Sequence, residues 1–360
     1  MDFLCKEGNI EVSSPSNIAF VKYWGKRNFQ LPLNSSVSMT LEKSRSNVKI
    51  DFSLKKQASS TNRVLRNFLF EGKENEKFAL RIESYFQHLK KDYPFLERYE
   101  INVFSSNTFP HSSGIASSAS FFSALAGCIS FLLIEGLHEH MKTEDTFEKQ
   151  DSISTISSLA RQGSGSASRS FFSHYGQWST SFDEGNYAEG LSNIHPDFLS
   201  MKNSIAIVSS REKRVSSKAG HHLFENHLFR EQRIGQGEKN FEMMKTILQT
   251  GDFKSFFPLL EEEALTLHAL MMTSRPGYML MLPESLQLMN DVRSLREEEG
   301  LEVGFTLDAG PNVHILYPER EETRVMSFLN DKYPHLNQEK LVIHDSCAKG
   351  AILVNKELRY

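Results

Sequence analysis

Cysteine is scarce in this chain, which has three among 360 residues. Cys5, Cys128 and Cys347 are an odd number at unrelated spacings, which does not fit a disulfide-stapled secreted domain. We expect reduced thiols that serve in packing. The histidine groups 138/140 and 221/222/227 lack the cysteine or carboxylate partners of a zinc site, so packing or surface roles are preferred for them.

The chain also lacks an excess of charge of one sign and any long apolar run. Its 41 basic and 45 acidic residues leave a net charge of −4, which argues against nucleic acid or an anionic membrane as the main partner. No apolar run approaches the roughly 20 residues of a membrane span, and the start lacks the order of a signal peptide. We predict a cytoplasmic protein that binds neither nucleic acid nor membrane.

The common nucleotide fingerprints are missing, since neither G-x-x-x-x-G-K-[ST] nor G-x-G-x-x-G occurs. A different loop is present at residues 107–120, NTFPHSSGIASSAS, between a predicted strand near 99–103 and a predicted helix over 122–132. Backbone N–H groups at a helix start attract anions, and Ser117 and Ser118 add hydroxyls for phosphate or Mg²⁺. By composition alone, an ordinary serine-rich N-cap fits equally well.

Three further segments carry polar groups of the kind that bind small anions. Residues 16–38 end an apolar run in the cluster KYWGKR, residues 161–170 read RQGSGSASRS, and residues 305–313 read FTLDAGPNV. Lysine supplies a point charge, whereas the planar fork of arginine suits a carboxylate. Each segment alone has a simpler interpretation: a solvated strand end with Trp24 in the core, a flexible Gly/Ser linker, and an aspartate that caps a turn.

Together these segments resemble one family. The loop from Pro110 is similar to the P-x-x-x-G-L-x-S-S-A phosphate loop of the GHMP kinase superfamily. The other three resemble N-I-A-x-x-K-Y-W-G-K-R, A-R-x-G-S-G-S-A-C-R-S and T-x-D-A-G-P-N of the mevalonate diphosphate decarboxylases, and residues 211–220 resemble their K-x-V-S-S-x-x-G-M segment. Ser168 stands where the family usually has cysteine, and His221 where it usually has methionine.

The resemblance implies roles by matched position. The catalytic residues would be Asp308, Lys22 and Arg169. Substrate would be bound by Asn17, Tyr23, Lys26, Ser164, Ser166, Ser217 and Lys218. ATP phosphates would be bound by Pro110, Gly114, Ala116, Ser117 and Ser118, with Ser118 also a ligand for Mg²⁺. His268 and His221 receive no role.

The resemblance also implies a fold and an activity. The fold is the two-domain α+β fold of GHMP kinases, with a ribosomal-protein-like N-terminal domain over 1–200, a ferredoxin-like C-terminal domain over 201–360, and the active-site cleft between them. The activity is ATP-dependent decarboxylation of mevalonate 5-diphosphate in isoprenoid biosynthesis, with ATP and Mg²⁺ and commonly as a homodimer. The alternatives are a related enzyme acting on mevalonate or its monophosphate, and a non-catalytic ATP-binding protein.

Periodicity predicts the remaining elements. We expect two strands at 37–41 and 48–54, a loop-rich stretch at 55–76 and a helix at 78–90. Gly136 is expected to end the helix after the phosphate loop. Helices are also expected near 153–159 and over most of 224–300, with Leu286, Met289, Val292 and Leu295 on a buried stripe. Strands are expected at 175–178 and 204–209, and residues 341–354 should complete a small sheet.

Overall fold

The computed structural model describes residues 5–55, 62–110, 115–137, 150–211, 215 and 217–359. The strands are β1 (Glu7–Val21), β2 (Ser36–Leu54), β3 (Leu65–Phe70), β4 (Lys73–Glu74), β5 (Tyr99–Asn107), β6 (Tyr175–Trp178), β7 (Glu189–Gly190), β8 (Lys202–Ala206), β9 (Gly304–Thr306), β10 (Val313–Tyr317), β11 (Val342–Ser346) and β12 (Ile352–Arg359). The helices are α1 (Glu76–Leu89), α2 (Ser117–Leu137), α3 (Gln150–Gly163), α4 (Pro196–Leu199), α5 (Ser217–Phe224), α6 (Arg230–Thr250), α7 (Phe253–Met272), α8 (Pro283–Glu299), α9 (Glu322–Lys332) and α10 (Pro334–Gln338).

An eight-stranded sheet has the order β12-β1-β2-β5-β3-β4, with β6 paired to β2 and β7 to β6. Its pairs are antiparallel except β3 with β5. The apolar stripes of α1, α2 and α3 pack with β1, β2 and β5 in one core. This core fixes the start of α2 and the end of α3 beside the strand ends, where residues 115–120 of the phosphate loop and the Gly/Ser segment lie.

A second, antiparallel sheet has the order β11-β8-β10-β9. One core joins it to α7, α8 and α9 through residues such as Ala264, Val292, Phe305 and Val325. Two sheets with helices confirm the predicted α+β class. The domain boundary near residue 200 stays a prediction, and the last strand, β12, returns to the first sheet by pairing with β1.

Most predicted helices are present, but five expectations about elements were wrong. Residues 36–54 form one strand with a bulge, because the pairing to β1 skips from Arg45 to Thr40 instead of turning back. The stretch 55–76 contains β3 and β4, and α2 runs past Gly136 to Leu137. Leu286 is 47% exposed instead of buried. The run 341–354 is divided, since β11 joins the second sheet and β12 the first.

Other sequence expectations concern residues that have no role in the cleft. No disulfide joins Cys5, Cys128 or Cys347, and burial raises the pKa of the Cys128 thiol. His138 and His140 lie outside the described residues. Among the described helices, none combines the length and apolar character needed to cross a membrane.

Candidate active site

A cleft of about 1160 Å³ opens between several elements. Its walls are the end of β1, one face of α1, the start of α2, the end of α3, α5, and the turn after β9. Eleven of the predicted site residues line it: Asn17, Lys22, Tyr23, Lys26, Ala116, Ser117, Ser118, Ser164, Ser166, Arg169 and Asp308. They come from segments almost 300 positions apart in the chain. The spatial convergence that the sequence could only suggest is therefore present.

An ion pair between Lys22 and Asp308 forms one wall of the cleft. Lys22 Nζ lies 3.0 Å from Asp308 Oδ1 and donates to the Ala19 carbonyl at 2.7 Å. The Lys22 side chain is 2% exposed and that of Asp308 is 27% exposed, so the carboxylate is the partner that solvent or a ligand reaches. Burial lowers the pKa of Lys22, while the nearby Asp308 carboxylate opposes that shift.

Arg169 lies beside this pair at the end of a short 3₁₀ turn, Gly165–Arg169. Its guanidinium donates from Nε to Ser38 Oγ at 3.0 Å and from a terminal nitrogen to Ser36 Oγ, and it lies over the Trp178 ring. Burial lowers the pKa of Arg169 to about 10, so it is cationic at neutral pH. Two of its five N–H donors are thus engaged by hydroxyls that hold the fork at the cleft wall.

The Gly/Ser segment is a buried turn and not an exposed linker. Ser118 Oγ, at the start of α2, is 3.3 Å from Ser164 Oγ, so the phosphate loop and this turn are in contact. A Cβ at Gly163 would lie 2.0 Å from the buried Phe122 ring, and one at Gly165 would lie 2.8 Å from the Tyr23 hydroxyl. Glycine is required at both positions because the neighbouring rings come too close for any side chain.

The predicted substrate residues near β1 have different environments. Asn17 is buried and donates its amide to Ser166 O at 3.1 Å and to Ser170 Oγ at 2.6 Å, so it holds the Gly/Ser turn. Tyr23 packs against Trp178 with ring centroids 4.9 Å apart, and burial raises its pKa. Lys26 Nζ donates to Gln30 Oε1 at 2.8 Å. Tyr23 and Lys26 both reach the cleft.

His221 has a defined place that the sequence did not predict. Its ring lies 4.8 Å from that of Tyr23 and 4.6 Å from that of Trp24. Its Nδ1 accepts a hydrogen bond at 3.0 Å from the N–H of Gly25, which has a φ of +88°. Burial lowers the pKa of His221 to about 3, so the ring is neutral. His221 therefore stabilises the turn between Lys22 and Lys26 by hydrogen bonding and ring contacts.

Four predicted site residues are not placed in the cleft. Pro110 is exposed and is not among the lining residues. Gly114 lies outside the described residues, and the side chains of Ser217 and Lys218, at the start of α5, lie outside the described part as well. Their assigned roles stay predictions.

A polar face of α1 also lines the cleft, and the sequence analysis did not identify it. Lys77, Arg81, Ser84 and His88 recur at intervals of four, three and four residues, which places them on one helical face. Arg81 donates to the Gly163 carbonyl at 3.0 Å and lies 4.7 Å from the centroid of the Phe122 ring. This periodicity, opposite the apolar stripe, was the available signal.

The cleft is strongly cationic for a chain of net charge −4. Six of its lining residues are lysine or arginine and two are acidic: Lys22, Lys26, Arg27, Lys77, Arg81 and Arg169 against Glu225 and Asp308. Clefts lined by charge of one sign concentrate ligands of the opposite sign. This cleft is suited to ligands that carry several phosphates.

The donor set at the cleft also fits Mg²⁺. Among the described residues, no group of three or more His, Cys, Asp or Glu could hold a metal. Mg²⁺ at nucleotide sites needs no such cage, since phosphates and water supply most of its ligands, with one or two protein oxygens. The Ser118 hydroxyl at the start of α2 and the partly exposed Asp308 carboxylate supply oxygens of that kind.

Comparison with known proteins agrees with these features. Residues 14–188 match the model of the diphosphomevalonate decarboxylase-like N-terminal domain, and residues 204–359 match that of the mevalonate 5-diphosphate decarboxylase C-terminal domain. The diphosphomevalonate decarboxylase of Gibberella zeae is 31% identical over 86% of this chain and 81% of its own length. That of Saccharomyces cerevisiae is 30% identical over 88% and 80%.

Solved structures give the same result. A complex of MDDEF with MVAPP, AMPPCP and magnesium has a TM-score of 0.81 at 28% identity, covering 97% of this chain and 99% of its own. Mevalonate diphosphate decarboxylase from Staphylococcus aureus also has a TM-score of 0.81 at 28% identity, covering 97% and 98%. The predicted GHMP kinase fold is confirmed. The chain belongs to the diphosphomevalonate decarboxylase family.

Proposed function

We propose that the chain catalyses the ATP-dependent decarboxylation of mevalonate 5-diphosphate to isopentenyl diphosphate, with release of ADP, phosphate and CO₂. The observation that carries this is the Lys22–Asp308 pair, 3.0 Å apart, beside Arg169 in a cation-rich cleft that also contains the phosphate-loop serines. A solved relative binds MVAPP, AMPPCP and magnesium together, which supports a shared site for both substrates.

The chemistry needs the tertiary hydroxyl to become a leaving group. Transfer of the γ-phosphoryl group of ATP to that oxygen achieves this, and loss of phosphate and CO₂ then forms the double bond. Asp308 would accept a hydrogen bond from the hydroxyl and take its proton, since its carboxylate is the accessible member of the pair. Lys22 would supply positive charge next to the transferred group.

The other residues would bind and orient. Arg169 would hold the substrate carboxylate near the reacting carbon with the donors that Ser36 and Ser38 leave available. Ser164, Ser166 and Lys26 would bind the diphosphate, while Ala116, Ser117 and Ser118 would bind ATP phosphates at the start of α2. Mg²⁺, held by Ser118 and the phosphates, would neutralise charge on ATP. Exclusion of water from the cleft would favour loss of CO₂ from the carboxylate.

Parallel assays with mevalonate, mevalonate phosphate and mevalonate diphosphate test this proposal. With ATP and Mg²⁺, we expect the diphosphate to yield ADP and CO₂ in equal amounts and the other two to react far more slowly. ADP without CO₂ would indicate a kinase. No product from any of the three would indicate a protein that binds ATP without catalysis.

We also propose an oligomeric state and a cellular location for the chain. A homodimer is proposed from the family resemblance, and sedimentation of the purified chain tests it. A cytoplasmic location is proposed from the sequence, and fractionation of cells tests it by the compartment in which the chain is recovered.

A further inference from the structure

One helix, α7, contacts the backbone of both members of the Lys22–Asp308 pair. Glu263 Oε2 accepts from the N–H of Lys22 at 2.8 Å, and five residues later His268 Nε2 is 3.1 Å from the carbonyl oxygen of Asp308. Because a carbonyl can only accept, Nε2 of His268 carries the proton. Glu263 and His268 are 0% and 1% exposed.

The contact to Lys22 is part of a closed network. Arg233 of α6 donates to both carboxylate oxygens of Glu263 at 2.7 Å and to the Lys22 carbonyl at 3.0 Å. Asn34 also donates to that carbonyl at 3.0 Å, and Asn240 donates to Glu263 at 2.7 Å. Both backbone groups of Lys22 are thus bound by side chains, just after β1 ends at Val21 and its ladder stops.

A buried Arg–Glu pair is costly to desolvate and is weak evidence for stability by itself. Here the pair has a specific geometric effect. It fixes the backbone of Lys22, whose side chain must point into the cleft. His268 does the same for the turn after β9 that presents Asp308. A rigid helix between the two contacts sets the distance between the ammonium and the carboxylate.

We propose that Glu263 and His268 are positioning residues. Through α7 they hold the Lys22 ammonium and the Asp308 carboxylate at a fixed distance from each other. This inference rests on the proposed function, because the distance between Lys22 and Asp308 affects turnover only if the pair is catalytic. Glu263 and His268 touch no reacting atom in this account. Displacement of a catalytic group by about 1 Å can cost about a hundredfold in rate, so loss of either contact should lower kcat more than it raises KM.

The chain offers a matched control on the same helix. Glu261 is also buried and paired with arginines, Arg293 and Arg296, but contacts neither Lys22 nor Asp308 in the hydrogen bonds described. Glu263→Gln and Glu261→Gln each remove one buried carboxylate charge. We expect Glu263→Gln to lower kcat by about tenfold to a hundredfold with KM within about twofold, and Glu261→Gln to keep the wild-type kcat. Equal loss of kcat in both variants would overturn the proposal.

Substitution of His268 keeps the test decisive if Glu263→Gln does not fold. Glutamine retains an N–H donor near the position of Nε2, whereas leucine removes it. We expect His268→Leu to lose kcat by about tenfold and His268→Gln to recover most of it. If the glutamine variant is as slow as the leucine variant, the hydrogen bond to Asp308 has no positioning role.

A readout without turnover separates this inference from the proposed function. Three charged groups act on the Lys22 ammonium: the negative Asp308 and Glu263 and the positive Arg169. The pH dependence of Lys22 acetylation by acetic anhydride, followed by mass spectrometry, reports the pKa of its amine. If the pair loosens in His268→Leu, that pKa falls below the wild-type value. An unchanged pKa would contradict positioning, whereas failure of the wild type to release CO₂ would contradict the function alone.

Discussion

At the scale of single residues, Asp308 has the most demanding proposed role in the cleft, which is to take the proton of the tertiary hydroxyl. It is the accessible carboxylate of an otherwise buried ion pair, next to a lysine whose charge has no other acidic side chain within hydrogen-bonding distance in the contacts described. A positioned acid or base contributes about 10²- to 10⁴-fold to a rate. The identity of this one side chain should therefore affect turnover more than binding.

We predict that Asp308→Asn lowers kcat by about 10²- to 10⁴-fold, because the amide cannot take the proton of the hydroxyl. CO₂ and ADP release, measured together, check this. Asp291→Asn is a suitable control, since Asp291 is also a buried aspartate paired with a lysine, Lys332, at 2.7 Å but lies on α8 away from the cleft lining. Wild-type turnover in Asp308→Asn would show that its assigned role is wrong.

His221 should make stability depend on pH. Its pKa is about 3 in the folded chain against an ordinary value of 6.5, so between those values the unfolded state binds more protons and stability falls as pH falls. At pH 5 this costs about 2 kcal/mol relative to neutral pH. His221→Met, the residue usual in the family, removes this cost.

Urea unfolding of wild type and His221→Met at pH 7.5 and pH 5 measures the difference. The buried His314, with a pKa lowered to about 4 by burial, contributes in the same direction in both proteins and cancels in the comparison. The same loss of stability on acidification in both proteins would contradict the burial of a neutral His221.

The hardest residues to predict were those whose side chains hydrogen-bond to the backbone of the catalytic residues. Glu263 is the last of three consecutive glutamates, and His268 received no role from the sequence. Their contacts to Lys22 and Asp308 depend on how α7 packs against β1 and the turn after β9, which no local pattern encodes. The cleft side chains that lie within family motifs, such as Lys22, Arg169 and Asp308, could by contrast be identified by resemblance.

At the scale of elements, α6 shows how a helix supports the cleft from behind. Gly237 faces Asn34, where an added Cβ would lie 2.7 Å from the amide nitrogen that bonds the Lys22 carbonyl. Gly235, two residues earlier, is exposed with no atom within 4 Å of an added Cβ. The two glycines differ in their surroundings and not in their helix.

We predict opposite effects for alanine at these positions. Gly235→Ala should stabilise the chain by about 0.5–1 kcal/mol, because alanine loses less backbone entropy in a helix. Gly237→Ala should destabilise it by about 1–3 kcal/mol through overpacking, and should also lower kcat by displacing Asn34 from Lys22. Urea unfolding and turnover measure both. A stabilising Gly237→Ala would contradict the described packing.

The bulge in β2 explains why its strand could not be predicted as one element. The alternation of apolar residues breaks at Glu42 and Lys43, which resembles the signal for a turn. In the fold, Asp345 of β11 accepts hydrogen bonds from the N–H groups of Lys43 and Ser44 and from the Ser44 hydroxyl. A partner about 300 residues away replaces the missing ladder, and local sequence does not reveal it. Helical periodicity is local, and α1, α3, α6 and α8 were predictable for that reason.

At the scale of the whole molecule, this same contact joins the two sheets. Asp345 is 3% exposed, and its loss would leave the N–H and the hydroxyl of the buried Ser44 without their acceptor. We predict that Asp345→Ala destabilises the chain by about 3 kcal/mol in urea unfolding. Asp331→Ala, which removes an exposed carboxylate bonded to Ser327, should change stability by less than about 0.5 kcal/mol. Equal effects would show that the junction contributes little.

The meeting of distant segments in one cleft was beyond prediction from spacing or periodicity. Lys22, Ser118, Ser164 and Asp308 come from four regions, and only the resemblance of each region to one family suggested that they converge. Residues on either side of the cleft belong to the two halves of the chain, so its width depends on how those halves pack. The Ser118–Ser164 contact joins the start of α2 to the Gly/Ser segment, and the Lys22–Asp308 contact joins the end of β1 to the turn after β9.

The most direct test of the account is a crystal structure of this chain with mevalonate diphosphate, a non-hydrolysable ATP analogue and Mg²⁺. We predict that both ligands occupy the described cleft, with the tertiary hydroxyl about 2.6–3.2 Å from the Asp308 carboxylate and facing the terminal phosphate of the nucleotide. A hydroxyl out of reach of Asp308, or either ligand bound outside the cleft, would contradict it.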